Sequence, residues 1–384
     1  MNAAAGGKGL RILASVSPGE VRVVLLSGDE LREAWVERPA RPDGVGDVHR
    51  ARVSALAPAM AGAFLALEGG ETGFLPDGEM PGKRGGLSEG QGVLVRVSRA
   101  AQGGKGPRLT ARLSAAEAAL GPAEGPPKLL AQGPEAALRL ARALPTAPVV
   151  TDGPALAARL RAALGEGRVV LSHQPVFDAA LDGEFAALAE PEVPLPGGGR
   201  LLIHPTPALT AIDVDAGPVA GQDRAAQQRF NLLAVAESAR QVRLRRLAGG
   251  ILLDLAGLSV KQRAAYAEPL GKALARDGLA QLLGLGPLGL FEIRRQRVHP
   301  PLHEVLAGPL TPGLAALRQA VREDAAVPGR RLALRVAPVV LAALQGLPGA
   351  LAEAEAAMTR KLTLRPDPSL PLAGWTIEEM PHGG

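Results

Sequence analysis

Residues 209–215 read LTAIDVD and residues 249–255 read GGILLDL, two short apolar runs that each bring an aspartate to their end. Runs of this length, rich in Ile, Leu and Val, are typical of buried strands. Residues 223–247, which lie between them, have the length and composition of one long helix. Since a strand, a helix and a second strand form a unit with parallel strands, this stretch predicts an α/β domain.

Three aspartates lie at the ends of these two strands. Asp213 and Asp215 are two positions apart, so they share one face of the first strand, and Asp254 ends the second. Ligands of α/β sheets bind outside the carboxyl ends of the strands. Carboxylate oxygens suit Mg²⁺ or Mn²⁺, which keep several waters and meet a substrate phosphate. The sequence therefore indicates a metal site, with ordinary loop-facing or capping aspartates as the alternative.

The alternation of strands and helices extends towards the N-terminus. A hairpin and a third strand are predicted between Leu10 and Val36. Further along the chain, helices are predicted at 135–144, 154–164 and 178–188, and strands at 147–152 and 168–173.

Residues 41–113 have a different pattern. Segments such as RVSALAPAMAGAFLALEGGETGFLP (52–76) and EGQGVLVRVSRAAQGGKGPRLTARL (89–113) are short, β-rich and separated by glycine turns. This pattern predicts a five-stranded barrel. Residues 114–135 are Ala-, Gly- and Pro-rich, which indicates a helix and a linker, and the last segment, from 307, indicates a small α+β domain.

The composition restricts the classes of partner and site. The 384-residue chain is 47% hydrophobic, which is enough for sizeable cores, and its net charge of +5 is compatible with a polyanion partner. The alternative explanation of the charge is codon bias towards Arg. The absence of cysteine excludes disulfides, thiolate zinc sites and a cysteine nucleophile. We expect neither a signal peptide nor a membrane span, and we expect a cytoplasmic protein.

Four motifs resemble those of the ribonuclease E/G family, in the family's order. ALTAIDVDAG (208–217) resembles the catalytic strand with the pattern I-D-V/I-N-S/T-G/A, and GGILLDL resembles the apolar run that leads into D-F-I-D-M. NLLAVAESARQVRLRRL (231–247) resembles the helix between them. GPLGLFEIRRQRVHPPL (286–302) resembles the segment that follows.

The N-terminal half is also similar to this family. GVGDVHRARVSALAPAMAGAFLALEGGETGFLP (44–76) resembles the opening of its S1 domain, and GGKGPRLT (103–110) resembles its S1 loop. The resemblance implies an α/β and α+β multidomain fold: an RNase H-like subdomain with an inserted S1 β-barrel of the OB-fold type, a DNase I-like catalytic α/β subdomain and a small C-terminal α+β domain. The implied boundaries are 1–40 and 146–194 for the RNase H-like subdomain, 41–113 for the barrel, 114–145 for a shortened linker or sensor remnant, 195–306 for the catalytic subdomain and 307–384 for the small domain.

The resemblance assigns catalysis and metal binding to Asp213 and Asp254. Asp215 occupies a position where the family has Asn, so it adds a potential third metal-binding charge. Gly257 occupies the position of the second Asp in D-F-I-D-M, so that acid is missing.

The resemblance also assigns RNA contacts. Phe64 and Phe74 match the S1 aromatics that stack on bases, with barrel-core residues as the alternative. Lys105 matches the loop lysine that faces RNA, and Arg108 lies in the same loop; the alternative is a solvated loop cation.

Four further candidates follow from the family's helix and from the segment after it. Asn231 matches the helix Asn, and Arg240 and Arg243, which share one helix face, match arginines that could hold phosphates. A solvated basic face is the alternative for the two arginines. Arg297 is a candidate RNA-backbone contact.

The implied activity is a Mg²⁺-dependent endoribonuclease, with Mn²⁺ as a second candidate metal. It would act on single-stranded RNA, such as ribosomal RNA precursors or messenger RNA, and leave 5′-phosphate and 3′-hydroxyl ends. The family's C-P-x-C zinc link is missing, so we expect no zinc and no zinc-linked tetramer, with a homodimer as a possibility. The R-T-A/G sensor motif is also missing, so we expect little preference for a 5′-monophosphate. The alternatives are a non-catalytic RNA-binding or ribosome-assembly protein and a metal-dependent hydrolase of another phosphate ester.

Overall fold

A computed structural model describes residues 9–81, 86–219 and 223–380. The chain forms two compact units. The first contains Met1–Pro42, Ala136–Arg294 and Leu302–Gly384, and the second contains Asp43–Glu135 and Arg295–Pro301.

The described strands are, in chain order, β1 (Leu10–Ser17), β2 (Glu20–Ser27), β3 (Glu30–Glu37), β4 (Val48–Ala57), β5 (Gly62–Ala66), β6 (Thr72–Pro76), β7 (Gly92–Arg99), β8 (Arg108–Thr110), β9 (Lys128–Ala131), β10 (Val149–Thr151), β11 (Val169–Leu171), β12 (Glu192–Pro194), β13 (Arg200–Pro205), β14 (Leu209–Asp215), β15 (Gly249–Asp254), β16 (Ala280–Leu285), β17 (Phe291–Arg295), β18 (Leu332–Val336), β19 (Thr363–Pro366) and β20 (Trp375–Glu379).

The described α-helices are, in chain order, α1 (Ala115–Ala118), α2 (Ala136–Ala143), α3 (Pro154–Leu164), α4 (Ala179–Ala187), α5 (Arg224–Leu244), α6 (Val260–Arg263), α7 (Ala267–Leu274), α8 (Leu302–Leu306), α9 (Leu310–Ala326), α10 (Pro338–Gln345) and α11 (Ala350–Met358).

The first sheet of the first unit has the order β11-β10-β1-β2-β3. Strands β1, β2 and β3 form the predicted antiparallel hairpin and third strand, and β10 pairs with β1 in parallel. Helices α2 and α3 bury Leu140, Leu156 and Leu160 in one core with Ile12 and Val23. Strands from both sides of the predicted barrel segment therefore belong to one sheet.

The second sheet has the order β12-β13-β14-β15-β17-β16. Strands β14 and β15 are parallel, and α5 connects them, which confirms the predicted strand–helix–strand unit. Alternate residues of the strands, such as Ile212, Leu253 and Phe291, form a core with Phe230 and Val242 of α5. One face of this sheet is thus covered by helices.

The helical segment that follows β15 is divided in the structure. It consists of α6, a 3-10 turn at Ala264–Tyr266, and α7. Pro269 has no backbone N–H, and the division places it in the first turn of α7, where that donor is not needed. Strand β16, which the sequence pattern did not predict, follows at the sheet edge.

The third sheet, β19-β18-β20, forms the C-terminal α+β part of the first unit. Strand β18 is parallel to β19 and antiparallel to β20. Helices α9, α10 and α11 bury Leu317, Leu344 and Met358 in one core with Leu334.

The second unit contains the predicted barrel. Strand β4 pairs with both β5 and β7, so the strands β4-β5-β6-β8-β7 close into a ring of five. Its core includes Val53, Leu65, Leu75, Val95 and Leu109. Strand β9 adds to β4, and the compact unit therefore extends beyond the predicted 41–113. Across the described residues, the fold is mixed α/β and includes a closed barrel.

In the described part of the chain, no helix combines the length and the apolar character that a membrane crossing needs.

Candidate metal centre and nucleic-acid interface

Asp213 and Asp254 are register partners in the parallel pair β14–β15. Backbones of neighbouring strands lie about 5 Å apart, and register partners point to the same face of a sheet. The two carboxylates are therefore neighbours at the carboxyl edge of the sheet. The apolar periodicity that buries Ile212 and Leu253 on the helix side turns these aspartates to the opposite face.

Asp215 shares that face but already has partners. Its carboxylate lies 3.1 Å from the Arg200 guanidinium and accepts a hydrogen bond of 2.9 Å from the amide of Gly217. The Gly217 amide and the Arg200 charge hold the pKa of Asp215 below its ordinary value. A metal contact from Asp215 would require these interactions to be exchanged, whereas Asp213 and Asp254 are the pair in direct register.

Arg263 is a neighbour of the pair that sequence reasoning missed. Its Nη1 lies 2.5 Å from Oδ1 of Asp254, and the same nitrogen donates to the carbonyl of Gly289 at 2.7 Å. The available signal was the S-x-x-Q capping pattern of Ser259 and Gln262, which places a helix, and hence Arg263, directly after the second strand.

Side chains of α5 donate hydrogen bonds to the loop after β15. Asn231 is completely buried, and its Nδ2 donates to the carbonyl of Ala256 at 3.3 Å, while Gln227 donates to the same carbonyl at 3.2 Å. The predicted RNA contact of Asn231 would need an accessible amide, whereas the structure gives this amide a supporting position under the loop. Gly257, next in the chain, has a φ of +63°.

The face of the barrel carries a row of two rings and two cations. Phe64 pairs with Phe74, Phe74 with Arg108, and Arg108 with Arg99, across β5, β6, β8 and β7. The two rings are 5.4 Å apart between centroids, at an angle of 58°. Core residues such as Leu65 alternate with the row, so both rings lie half-buried on the outer surface rather than in the barrel core.

Lys105 projects from the hairpin between β7 and β8. Gln102 and Lys105 form a two-bond bridge, and Gly103 and Gly104 between them have φ of +54° and +75°. Such a turn requires left-handed backbone at both central residues, and glycine supplies it without steric cost. The glycines therefore hold the exposed Lys105 at the hairpin tip, close in sequence to the row of rings and cations.

Arg297 belongs to the same compact unit as this row. Burial lowers the pKa of Arg99, and the charges of Arg108 and Arg297 lower it further. Three guanidinium groups of this unit are thus near enough to interact. Arg99 was not among the sequence candidates, although the strand–GGKG–strand pattern could have indicated its pairing with Arg108.

Arg240 and Arg243 lie on α5, in the other unit, and contact protein groups. Arg240 forms ion pairs with Glu184 and Glu237 at 3.0 and 2.9 Å and donates to the carbonyl of Leu31. Arg243 donates to the carbonyl of Arg32, and burial lowers its pKa. The Arg240 guanidinium is therefore held by protein groups, and the Arg243 side chain is half-buried.

Asp213 and Asp254 fit a magnesium site in which water and substrate supply the other ligands better than a site formed by protein ligands alone. Within residues 9–81, 86–219 and 223–380, no group of three or more His, Asp or Glu side chains is placed to hold a metal. Mg²⁺ is commonly held by one or two carboxylates, with waters and substrate phosphate as its other ligands. Asp213 and Asp254, with oxygen donors side by side, meet that requirement.

Comparison with known proteins places these features in a family. The Ribonuclease E/G family matches residues 124–298, which include both aspartates and the helix between them. Ribonuclease G of Salmonella typhimurium is 30% identical over 215 residues, which cover 51% of this chain and 44% of that protein. Ribonuclease G of Haemophilus influenzae is 25% identical over 402 residues, which cover 77% of this chain and 81% of that protein.

A plant relative shares the central part of the chain. The chloroplastic Ribonuclease E/G-like protein of Arabidopsis thaliana is 34% identical over 143 residues, which cover 35% of this chain and 14% of that protein. The match to the Salmonella protein, like that to the plant protein, spans less than half of the relative's length. Residues 124–298 therefore form a ribonuclease E/G family region, and most of the chain is similar to a ribonuclease G.

Proposed function

We propose that this protein is a metal-dependent endoribonuclease that cleaves single-stranded RNA and leaves 5′-phosphate and 3′-hydroxyl ends. The observation that carries the proposal is the register pairing of Asp213 with Asp254. Two carboxylates at the carboxyl edge of neighbouring parallel strands supply the ligand set that a phosphodiester-cleaving magnesium site needs. The family relatives, which are named as ribonucleases, support RNA as the substrate.

Asp213 and Asp254 are the proposed ligands of Mg²⁺, with Mn²⁺ as the second candidate. When bound, such an ion lowers the pKa of a water and neutralises charge on a phosphate. Asp215 contributes charge near the pair through a carboxylate that Arg200 already neutralises in part.

The barrel is the part of the protein that we propose binds the single-stranded RNA. Phe64 and Phe74 present ring faces on which unpaired bases can stack, independently of base identity. Arg108, Arg99 and Lys105 lie in the same region of the unit and attract the phosphates between those bases. Ribosomal RNA precursors and messenger RNA in the cytoplasm are the proposed substrates, and a homodimer is the proposed assembly.

One assay tests this proposal. A labelled, A/U-rich single strand is incubated with the purified protein in Mg²⁺ or in EDTA, alongside Asp213→Asn and Asp254→Asn. We expect cleavage that needs Mg²⁺ and is lost in both variants, while binding of the strand in EDTA is retained. Cleavage that persists in EDTA or in either variant would refute the proposed site.

A non-catalytic RNA-binding protein is the second candidate. Gly257 in place of an acid and the engagement of Asp215 by Arg200 favour it, because both leave fewer free carboxylates at the sheet edge. The same assay separates the two functions, since binding without Mg²⁺-dependent cleavage would establish this candidate.

A further inference from the structure

Arg263 contacts three segments of the chain around Asp213 and Asp254. Its Nε donates to the carbonyl of Leu258 at 3.1 Å, and its Nη1 reaches both the carbonyl of Gly289 and the carboxylate of Asp254. Only 15% of its side chain is exposed. The guanidinium plane is therefore fixed by the end of β15, by the loop that follows and by the β16–β17 turn.

The contact with Arg263 makes the two carboxylate oxygens of Asp254 inequivalent. Oδ1 is buried and lies against Arg263 at 2.5 Å, although the Asp254 side chain as a whole is 44% exposed. The accessible part of the carboxylate is thus on the side of Oδ2. A guanidinium that holds one oxygen of a carboxylate in a fixed direction also fixes the direction of the other.

We propose that Arg263 is a positioning residue that orients the carboxylate of Asp254, which with Asp213 would hold a divalent ion. This inference rests on the proposed function, because it assigns a task to Arg263 within that metal site. The removal of a group that orients a metal ligand typically changes metal affinity by about 10- to 100-fold.

An effect of charge alone would change the metal affinity in the opposite direction. A cation next to a metal ligand repels a divalent ion, so an Arg263 that acted only through its charge would weaken metal binding, and its removal would strengthen it. Positioning predicts that removal weakens binding. The sign of the effect therefore separates the two roles, and a lysine, which keeps the charge but lacks the planar fork, separates them again.

The test measures Mn²⁺ binding to the full chain by the electron paramagnetic resonance signal of free Mn²⁺. The variants are Arg263→Lys and Arg263→Gln, with Asp254→Asn as the reference for a lost ligand. Arg276→Gln, which removes an exposed arginine of the same unit, is the matched control. Melting curves of each variant show which ones are folded at the temperature of the measurement, and Arg263→Lys, as the more conservative change, is the one on which the conclusion depends.

We expect both Arg263 variants to bind Mn²⁺ about 10- to 100-fold more weakly, while Arg276→Gln binds like the unchanged protein. The Mg²⁺ concentration for half-maximal cleavage should rise by a similar factor. Equal or tighter Mn²⁺ binding by folded Arg263→Lys would overturn the inference. If the unchanged protein binds no Mn²⁺, or if Asp254→Asn binds it equally well, the proposed metal site itself has failed.

Discussion

Asp213 and Asp254 face each other across two parallel strands as like charges in direct register. Two carboxylates at this separation repel each other, and the Arg263 guanidinium at Oδ1 of Asp254 offsets only part of that repulsion. The arrangement stores an electrostatic cost in the fold that a bound divalent ion would remove. The first prediction follows from this relationship.

Asp213→Asn should stabilise the metal-free protein. Removal of one charge should raise the free energy of unfolding by about 0.2–1 kcal/mol, which is the scale of cross-strand pair energies in sheets. Added Mn²⁺ should raise the melting temperature of the unchanged protein and not that of the variant, because only the former binds the ion. Urea unfolding in EDTA and melting curves with Mn²⁺ measure both effects. Asp29→Asn, an exposed aspartate between β2 and β3, is the control, and a destabilised Asp213→Asn protein would contradict the prediction.

Phe64→Ala and Phe74→Ala should weaken RNA binding more than they weaken the fold. Each loses about 1–3 kcal/mol of binding free energy for a single strand, because a stacking ring is removed. Both rings lie half-buried on the outer surface, so the barrel core is left intact. Leu65→Ala is the matched control, since this core side chain is fully buried and its loss costs about 2–5 kcal/mol of unfolding free energy. Unchanged RNA affinity in both Phe variants would place the interface elsewhere.

Arg99→Gln and Arg108→Gln should reduce the salt dependence of RNA binding. For a single strand, each lost phosphate contact should lower the slope of log affinity against log salt by about 0.7. Fluorescence anisotropy with a labelled strand over a series of KCl concentrations gives this slope. Arg142→Gln, an exposed arginine of α2 in the other unit, should leave the slope unchanged. Equal slopes in all variants would show that these two arginines do not contact phosphates.

Asp215→Asn should reduce stability at neutral pH but not in acid. The Gly217 amide and Arg200 favour the ionised carboxylate, and they hold the pKa of Asp215 below its ordinary value of 3.8. Its contribution is therefore fully present above that value and is lost as the pH falls through the lower pKa of the folded state. Urea unfolding of both proteins from neutral pH to about pH 2.5 tests this window. A difference that persists at the acid end would be inconsistent with an ionised Asp215 as its source.

Gly257→Asp should restore an acid near the pair and tighten Mn²⁺ binding. The φ of +63° at this position costs an L-residue about 1–2 kcal/mol, so the variant should also be less stable. Gly257→Ala carries the same backbone strain without the carboxylate. We expect both variants to melt earlier and only the aspartate variant to bind Mn²⁺ more tightly. Equal Mn²⁺ binding by the two would show that an acid at this position does not reach the ion.

Much of the local structure could be predicted from short-range patterns. The short apolar runs indicated β14 and β15, and the length and composition of the segment between them indicated α5. The glycine-separated β segments indicated a barrel, and its ring of five strands is confirmed. Such patterns succeed because helix and strand periodicity depend on residues that are close in the chain.

Side-chain partners were less accessible to prediction. The capping pattern of Ser259 and Gln262 indicates a helix after β15, but it does not identify Arg263 as the partner of Asp254, because their contact depends on how the β16–β17 turn and α6 meet at the sheet edge. The orientation of Phe64 and Phe74 also remained open, since the sequence could not distinguish the inner from the outer face of the barrel.

The sequence by itself determined the kinds of elements, their order and the residue types at the strand ends, because these depend on composition and on short-range periodicity. The tertiary structure alone decided which residues are neighbours. The register of β14 against β15, the row from Phe64 to Arg99 and the burial of Asn231 result from hydrogen bonds and packing between distant segments. A one-residue shift of register would turn every side chain of a strand to the opposite face, so the chemistry of both candidate sites depends on that long-range pairing.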